Sequence, residues 1–268
     1  MERQLTEVAS VIARAKNLVA FTGSGVSAES GIPTFRDPGG LWDRYDPDQL
    51  GTGGDILSML SQLSGAGRQF LQEMLATFEQ AAPNPGHLAL VELERMRILR
   101  SVITQNVDNL HWEAGNTRVF EVHGNLYRFR CLVCARRLKL SKDEFLSLMR
   151  RIVETEELDV SSLAELIPRC QCGGLTRIDA VGFGEPVQDL PEAEHEARIC
   201  DVLLTLGTSG VVFPAALLPG YAKGAGATLI EINATGSYFP EIADFAIVEK
   251  TGVALPKIVE AVGEMLGH

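Results

Sequence analysis

LVAFTGSGVSA, residues 18–28, is a short apolar stretch that runs directly into a turn containing Gly23 and Gly25. Residues 23–28 match the pattern G-x-G-x-x-A, which in nucleotide-binding folds follows the first strand, where backbone N–H groups bind a pyrophosphate. The pattern by itself is equally consistent with a tight glycine turn that binds no ligand. A dehydrogenase would show a second strand within about 30 residues, ending in an acidic residue for the ribose. The sequence has no such pattern, so we expect a dinucleotide site with a long flexible cover.

Short apolar runs bounded by turn residues recur along the chain and alternate with helical patterns. They predict buried strands at residues 18–21, 101–104, 118–122, 202–206, 228–232 and 245–248. Apolar residues at helical spacing predict helices at residues 5–15, 87–97, 213–222 and 254–266. Strands that alternate with helices form a parallel sheet covered on both faces. The expected fold class is therefore α/β, with a Rossmann-like parallel sheet.

Two stretches interrupt this alternation and are expected to form insertions. Residues 40–82 carry helical patterns at 56–63 and 70–80, and are interpreted as a helical insertion with a cofactor-binding loop. Residues 126–176 begin and end with pairs of cysteines around a helical pattern at 142–153, and are interpreted as a small zinc-binding module. The ranges expected to form the nucleotide-binding Rossmann-like domain are 1–39, 83–125 and 177–268.

The composition argues against several classes of protein. The chain of 268 residues has 24 Lys and Arg against 35 Asp and Glu, a net charge of −11, whereas a surface that binds nucleic acid needs clustered cations. No apolar run reaches the roughly 18 residues of a membrane helix, and the first residues have an amphipathic helical pattern. We therefore expect a cytoplasmic protein without direct contact to nucleic acid or membrane.

Four of the five cysteines form two close pairs. Cys131 and Cys134 have the spacing C-x₂-C, and Cys170 and Cys172 have the tighter spacing C-x-C. In a reducing compartment such pairs indicate a metal, and four thiolates suit one tetrahedral, structural Zn²⁺ ion per chain. The alternative is two pairs of reduced cysteines in a module with little apolar core, which would then lack the folding energy that a metal supplies. Cys200, in an apolar context, is interpreted as a core residue.

Several motifs accompany the glycine turn. They are TQNVDNLH at 104–111, EVHG at 121–124, FGEP at 183–186, GTS at 207–209 and EIN at 231–233. Together with residues 22–36 they resemble, in the same order, the signatures of the sirtuins, the NAD-dependent protein-lysine deacylases. The resemblance covers about residues 10–260, nearly the whole chain. It implies that NAD is the co-substrate and that acyl-lysine proteins are the partners.

The resemblance implies a reaction in which the acyl oxygen of the substrate lysine attacks the ribose of NAD and displaces nicotinamide. His123 matches the position that then accepts a proton from a ribose hydroxyl, and histidine suits this role because its unperturbed pKa of about 6.5 lies near the working pH. Asn106 and Asp108 match the positions that contact the ribose and the nicotinamide carboxamide. An Asn-x-Asp pair after a strand is also typical of a helix N-cap, and both roles can coexist. His111 is interpreted as a packing and hydrogen-bonding residue.

Further positions are assigned to cofactor and substrate by the same resemblance. The residues expected to contact NAD are Gly23, Ser24, Gly25, Ser27, Phe35, Arg36, Gln105, Asn106, Asp108, His123, Gly207, Thr208, Ser209, Asn233, Gly252 and Val253. The residues expected to contact the acyl-lysine substrate are Leu71, Met74, Val181, Phe183, Gly184 and Glu185. Many of the first group follow predicted strands, whose carboxyl ends are where open parallel sheets bind ligands.

Residues 70–80 bear on the choice of acyl group. Some sirtuins that remove succinyl or malonyl groups carry Tyr-x-x-Arg in the corresponding helix, and the Arg pairs with the acyl carboxylate. The matching positions here are Leu71 and Met74. Neither can bind a carboxylate, and burying one unpaired costs several kcal/mol, so neutral acyl groups are expected. The alternative is that both residues merely fill the core face of their helix.

These motifs predict an NAD-dependent protein-lysine deacylase that releases nicotinamide, O-acyl-ADP-ribose and free lysine. An ADP-ribosyltransferase would use the same site with another nucleophile, and an NAD-sensing module would bind NAD without turnover. The presence of both Asn106 and His123 favours deacylation, because binding alone does not need the full set. Three departures from the family pattern lie around substrate or nicotinamide: Asn109 replaces Gly, Gly210 replaces a larger apolar residue and Ile178 replaces Pro.

Overall fold

The computed structural model describes residues 2–34, 40–44, 66–155 and 159–267. Its strands are β1 (Leu18–Thr22), β2 (Leu99–Thr104), β3 (Val119–Glu121), β4 (Gly124–Cys131), β5 (Arg137–Lys139), β6 (Thr176–Ala180), β7 (Val202–Leu206), β8 (Thr228–Ile232) and β9 (Phe245–Ile247). Its α-helices are α1 (Glu2–Ala13), α2 (Leu41–Arg44), α3 (Ala66–Gln80), α4 (Pro85–Arg95), α5 (Leu110–Ala114), α6 (Lys142–Glu154), α7 (Val160–Leu166), α8 (Leu190–Ile199), α9 (Leu218–Gly224) and α10 (Thr251–Leu266). None of the helices in these ranges combines the length and apolar composition needed to cross a membrane.

A parallel sheet in the order β3-β2-β1-β7-β8-β9 forms the larger part of the fold. From β1 the chain moves outward through β2 and β3, and it later returns to the other side of β1 for β7, β8 and β9. The order therefore reverses between β1 and β7, which is where open parallel sheets bind ligands at the carboxyl ends of their strands. Each strand predicted for this sheet is present, with its ends within a residue or two. The α/β class and the Rossmann-like sheet are confirmed.

Alternating side chains of the parallel sheet pack against helices on its two faces. On one face, Leu18 and Leu204 belong to a buried cluster with residues of α1, α4 and α10. On the other, Val19 and Leu203 pack with residues of α8 and α9. Strand β1 is buried along its whole length, as expected of a strand covered on both sides. The loops at the carboxyl edge are thus attached to a fully packed platform.

An antiparallel sheet in the order β5-β4-β6 belongs to the region that carries the cysteines. It packs with α3, α6 and α7 around a second apolar cluster. The ring of Phe78 on α3 contacts the rings of Tyr127 and Phe145 edge to face, with centroids 6.2 Å apart in each case. Helix α7 begins after Asp159, whose Oδ1 accepts the Ser162 N–H at 2.7 Å. This cap stabilises a helix in a stretch for which the sequence predicts none.

Two helices differ from what the sequence predicts. The helix expected at 213–222 begins only at Leu218, because residues 215–217 form a 3₁₀ turn and Pro219 occupies the first helical turn, where its missing N–H costs nothing. Helix α8 is not predicted, since its buried face consists of two alanines and Glu196 rather than large apolar residues. The helix expected at 56–63 lies outside the described residues.

Candidate active site

An open cleft lies at the carboxyl edge of the parallel sheet. The residues predicted to bind NAD that line it are Gly23, Ser24, Gly25, Gln105, Asn106, His123, Gly207, Thr208, Ser209 and Asn233. They follow β1, β2, β3, β7 and β8, so segments remote in the sequence meet in one place. The position agrees with the general rule for ligands of open parallel sheets.

The turns after β1 and β7 contact each other so closely that glycine is required. The Gly25 N–H donates to the Gly207 carbonyl over 2.9 Å, and a Cβ on Gly25 would lie 2.7 Å from the Gly207 Cα. Gly207 has φ +53°, and its own Cβ would lie 2.5 Å from the Val26 nitrogen. A side chain at either glycine would therefore separate the two loops.

Backbone N–H groups in these two loops fit an anionic ligand. Those of Ser24, Thr208 and Ser209, all residues of the cleft lining, donate to no acceptor within the described ranges. After β1 the chain forms two 3₁₀ turns, Ser24–Val26 and Ala28–Ser30. Unpaired N–H groups on glycine-rich turns bind phosphate groups without needing a long helix. The loops therefore fit the pyrophosphate of a dinucleotide.

A buried hydrogen-bond network holds the loop after β2. The Ser27 hydroxyl donates to Asp108 Oδ2 over 2.6 Å, and Asn106 Nδ2 donates to Ser27 Oγ and to the Gly23 carbonyl over 3.1 Å each. Asp108 Oδ1 accepts the Leu110 N–H at 2.9 Å, as in the helix-capping interpretation. Burial raises the pKa of Asp108, and the hydrogen bonds from Ser27 and Leu110 oppose this rise. Ser27 thus holds Asn106, and Asp108 holds Ser27. Neither Ser27 nor Asp108 is among the cleft-lining residues of the described chain, so their contact with NAD stays a prediction.

The imidazole of His123 is oriented by the end of β2. Its Nδ1 lies 3.0 Å from the carbonyl oxygen of Gln105. A carbonyl only accepts hydrogen bonds, so in the neutral ring Nδ1 bears the hydrogen and Nε2 bears the lone pair. Gln105 is itself held by its side-chain Nε2, which donates to Thr208 Oγ1 over 2.7 Å. This arrangement prepares Nε2 of the His123 ring to accept a proton.

Two other histidines, His87 and His111, are buried and do not line the cleft in the described part of the chain. His111 Nε2 lies 3.0 Å from Thr22 Oγ1, and its ring centroid is 4.9 Å from that of His87. Burial lowers the pKa of His87 to about 4 and that of His111 well below its ordinary value. Both rings are neutral near pH 7, which agrees with the packing and hydrogen-bonding role predicted for His111.

The predicted substrate residues around the FGEP motif lie next to His123. The Val181 N–H donates to the His123 carbonyl over 2.9 Å. Glu185 forms a bidentate ion pair with Arg177, which holds the pKa of the Glu185 carboxyl below its usual range. This pair fixes the turn that carries Phe183, whose side chain is 44% exposed. The turn thus carries a partly exposed apolar ring two residues after Val181.

Leu71 and Met74, predicted to contact the acyl group, lie on α3. Leu71 is 7% exposed and belongs to the apolar cluster that includes Phe145, and Met74 is half-buried against the same cluster. Neither is among the residues of the described chain that line the cleft. The packing agrees with the core-filling alternative, and contact with an acyl group stays a prediction.

Gly252 and Val253, predicted to lie beside the adenine, are in the first turn of α10. The Gly252 N–H donates to Glu29 Oε2 over 2.7 Å, and a Cβ at this glycine would lie 2.7 Å from the same oxygen. Neither residue is among those that line the cleft in the described ranges, so their contact with the cofactor stays a prediction. Phe35 and Arg36 lie outside the described residues.

The departures from the family pattern have structural reasons at two positions. Asn109 has φ +67° and Gly210 has φ +60°, left-handed conformations that glycine adopts freely and asparagine tolerates. A Cβ on Gly210 would lie 2.6 Å from the ring of Phe239, so this ring fills the space that a larger residue would need. Ile178 packs half-buried on β6, opposite Phe129 of β4.

Gly210→Ala is therefore expected to lower the free energy of unfolding by about 2–5 kcal/mol, the sum of left-handed strain and overpacking against Phe239. Denaturant unfolding of the purified protein measures this change. Combining the substitution with Phe239→Leu should relieve part of the loss. Gly220→Ala in α9, where no atom lies within 4 Å of the added Cβ, is the matched control and should be neutral or stabilising. Equal effects at both glycines would contradict the steric explanation.

Thr34, Val212 and Tyr238 line the cleft but are not predicted from the sequence. Tyr238 is held by the buried carboxylate of Glu231, which accepts the Tyr238 N–H over 2.8 Å and the Ser237 hydroxyl over 2.5 Å. Glu231 belongs to the EIN motif, which marks the end of β8. The loop that follows has no periodic pattern, so the sequence does not predict that it lines the cleft.

The four predicted metal ligands come together in one cluster. The Sγ atoms of Cys131, Cys134, Cys170 and Cys172 all lie within 4.8 Å of one another, and three of the pairs are 3.5 Å apart. A tetrahedral zinc ion with Zn–S bonds of about 2.3 Å needs sulfur atoms about 3.8 Å apart, so the cluster fits. Gly174 permits this approach, since a Cβ there would lie 2.8 Å from the Cys131 sulfur. The four cysteines, including the C-x-C half, are thus positioned to bind one metal ion, consistent with a structural zinc site.

Comparison with known proteins agrees with the fold and the cleft. The sequence model of the Sir2 family matches residues 23–214 of the chain. A protein of Desulfosudis oleivorans named NAD-dependent protein deacylase is 47% identical over 264 residues, which cover 98% of this chain and 97% of that protein. The chain therefore belongs to the Sir2 family of NAD-dependent protein deacylases, as the sequence motifs predict.

Solved structures of the family resemble this one along nearly the whole chain. A Sir2 homologue in complex with NAD has a TM-score of 0.78 and 35% identity, and the match covers 97% of this chain and 94% of that one. Sir2Af2 bound to a myristoylated histone peptide has a TM-score of 0.74 and 34% identity, with 100% and 99% of the two chains covered. These similarities establish the shared fold and guide the choice of co-substrate and substrate class below.

Proposed function

We propose that this chain removes neutral acyl groups from lysine side chains of proteins with NAD as co-substrate and with consumption of one water molecule, and releases nicotinamide, O-acyl-ADP-ribose and free lysine. The observation that carries the proposal is the meeting of Asn106, His123 and the two glycine loops in one cleft. A module that only senses NAD has no use for an oriented proton acceptor, whereas the Gln105 carbonyl keeps the His123 ring in the accepting tautomer. Deacylation uses every part of this set.

Binding of NAD would use the glycine loops and Asn106. The N–H groups of Ser24, Thr208 and Ser209 suit the pyrophosphate. The Asn106 amide group donates to Gly23 and Ser27, so the atom it offers to a ribose hydroxyl is Oδ1. NAD supplies the ribose carbon that the acyl oxygen attacks, with nicotinamide as leaving group.

The proton moves through His123. Nε2 of this ring would accept a proton from a ribose hydroxyl, which makes that oxygen a better nucleophile toward the acyl carbon. The ring then carries a positive charge, and the hydrogen bond from Nδ1 to the Gln105 carbonyl becomes charge-assisted. The Gln105 carbonyl therefore orients the base and stabilises its charged form.

Product analysis with an acetyl-lysine peptide and NAD tests the proposal. We expect nicotinamide, deacetylated peptide and O-acetyl-ADP-ribose to form in equal amounts, measured by mass spectrometry. Peptide that gains an ADP-ribose group would identify a transferase instead. NAD binding without nicotinamide release would identify a sensing module.

The acyl preference gives a separate prediction. Because Leu71 and Met74 offer no charge, kcat/KM for acetyl-lysine or butyryl-lysine should exceed that for succinyl-lysine by about 100-fold, since an unpaired buried carboxylate costs several kcal/mol. The nearby Arg68 donates to the carbonyl oxygens of Val153 and Thr155, which holds its guanidinium at α6. Competition between peptides that differ only in the acyl group measures the ratio. Succinyl-lysine processed as well as acetyl-lysine would contradict the prediction.

A variant that gains activity on succinyl-lysine would also test the match of Leu71 and Met74 with the Tyr-x-x-Arg positions. The double variant Leu71→Tyr/Met74→Arg should raise the succinyl-to-acetyl ratio of kcat/KM at least about 10-fold, because the new Arg can pair with the carboxylate. Gln72→Arg, which adds the same charge on the exposed face of α3, is the matched control and should leave the ratio unchanged. An equal gain in both would show that charge alone, without position, is responsible.

A further inference from the structure

Thr104 is the last residue of β2 and directly precedes Gln105 and Asn106, but it is not among the residues of the described chain that line the cleft. It is buried, with 3% of its surface exposed. We propose that the Thr104 hydroxyl positions the peptide group between Gln105 and Asn106 and thereby keeps His123 in the tautomer that accepts a proton. This inference rests on the proposed function, in which His123 is the proton acceptor.

The peptide group between Gln105 and Asn106 links Thr104 to His123 through two hydrogen bonds. Its carbonyl, from Gln105, lies 3.0 Å from His123 Nδ1, and its N–H, from Asn106, donates to Thr104 Oγ1 over 3.0 Å. The peptide is trans, so it is planar and its carbonyl and N–H point in opposite directions. The acceptor that holds the N–H therefore also fixes the direction of the carbonyl.

The direction of this carbonyl decides which nitrogen of His123 carries the hydrogen. As long as the Gln105 carbonyl faces Nδ1, the neutral ring has its hydrogen there and its lone pair on Nε2. If the peptide flipped, the Asn106 N–H would face Nδ1 instead, and Nδ1 would have to accept. The hydrogen would then reside on Nε2, which would no longer accept a proton from a ribose hydroxyl.

Two further buried side chains hold the Thr104 hydroxyl in place. The hydroxyl of Thr22, at the end of the neighbouring strand β1, donates to Thr104 Oγ1 over 2.8 Å, and His111 Nε2 lies 3.0 Å from Thr22 Oγ1. Thr22 has a single hydroxyl hydrogen and gives it to Thr104, so the neutral ring of His111 donates from Nε2. Thr104 Oγ1 thus accepts from both Thr22 and the Asn106 N–H, which occupies its two lone pairs.

Valine at position 104 would keep the branched shape of threonine but would remove the acceptor. The N–H of Asn106, a buried residue, would then lose its partner, and a buried N–H without a partner is costly. Rotation of the peptide would relieve this cost, and it would withdraw the Gln105 carbonyl from His123. A hydroxyl that lies outside the cleft lining is therefore expected to act on the proton acceptor through one peptide group.

Nitrogen NMR of the zinc-loaded protein, with isotope-labelled histidine, determines the tautomer directly. At a pH where the ring is neutral, the parent should show His123 with its hydrogen on Nδ1, and Thr104→Val should shift the population toward Nε2–H. Thr104→Ser, which keeps the hydroxyl, should resemble the parent, and His123→Ala identifies the signals of this ring among the five histidines.

Two results of this measurement would overturn the proposal: an Nε2–H form in the parent, or an unchanged Nδ1–H form in Thr104→Val. Thr104→Ala removes the same acceptor and should give the same shift, so the test does not depend on one variant. The NMR measurement needs no turnover. Its failure is therefore distinguishable from failure of the proposed function, which product analysis tests.

Turnover should change together with the tautomer. Thr104→Val should lower kcat on an acetyl-lysine peptide about 10–100-fold, as expected for loss of one buried hydrogen bond, and should lower the affinity for NAD by a smaller factor. Thr205→Val is the matched control, because Thr205 is buried in β7 and its hydroxyl donates to the Ile230 carbonyl over 3.2 Å. This control should turn over like the parent. In a His123→Ala background, Thr104→Val should not lower kcat further, and equal losses in both backgrounds would overturn the proposal.

Discussion

Alanine at position 123 is expected to leave the fold and NAD binding largely intact and to lower deacylation by about 10²–10⁴-fold, the range for loss of a general base. The imidazole is half-buried at the cleft and donates a hydrogen bond to the Gln105 carbonyl, so truncation removes the proton acceptor without opening a core cavity. The glycine loops and Asn106 stay in place. The measurement is kcat/KM on an acetyl-lysine peptide, with NAD affinity determined by calorimetry.

The control for this experiment is His195→Ala. His195 is exposed on α8 and lies outside the cleft lining of the described chain, so this variant should turn over like the parent. Near-normal activity of His123→Ala would remove His123 from the mechanism. Loss of NAD affinity as large as the loss of turnover would indicate that the ring contributes binding rather than proton transfer.

Removal of zinc is expected to unfold the antiparallel module and abolish activity. The module holds its ends together through the four cysteines, and structural zinc sites contribute about 10–16 kcal/mol of apparent binding energy to small folds. Elemental analysis of protein purified without chelator should find one zinc per chain. Treatment with a strong chelator should then expose residues 126–176 to proteolysis while activity falls in parallel.

Variants of single cysteines distinguish the predicted zinc ligands from the cysteine that does not bind zinc. Cys172→Ser should lose zinc, because the C-x-C sulfur is 3.5 Å from the sulfurs of Cys131 and Cys134. Cys200→Ser is the control, since Cys200 is buried beside α8 and its sulfur donates to the Ala197 carbonyl, and this variant should keep its full zinc content. A full complement of zinc in Cys172→Ser would refute the C-x-C assignment.

Much of the fold was predictable because the signals for it are local. The run of apolar residues before Gly23 predicts a buried strand, and β1 is buried at every position. The antiparallel strands were not predictable, because β5 is short and exposed at two of its positions and its place depends on pairing with β4. Helix α8 was missed for a related reason, since its buried Glu196 is stabilised by Arg100 and Arg118 from other elements.

The residues of the candidate site also include some that local sequence patterns predict and others that they do not. The motifs around Asn106 and His123 predict residues of the cleft correctly, since each is a short contiguous pattern. Tyr238 is held at the cleft by contacts of its loop, among them the hydrogen bonds of its backbone N–H with Glu231 and of its hydroxyl with Thr235, and no pattern in the loop predicts them. Gly252 lies in the first turn of α10 and is not among the cleft-lining residues of the described chain, so its contact with adenine stays a prediction.

By itself the sequence determined the α/β class, the order along the chain of the motifs that follow the parallel strands, the family and the identity of the four metal ligands. Periodicity, cysteine spacing and contiguous motifs are properties of neighbouring residues and can be recognised without knowledge of the fold. Only the tertiary structure decided that Gly25 and Gly207 face each other, that Phe239 fills the space beside Gly210, and that one peptide group links Thr104 to His123. These depend on distances between residues far apart in the chain, which are set when the strands pair and the helices pack.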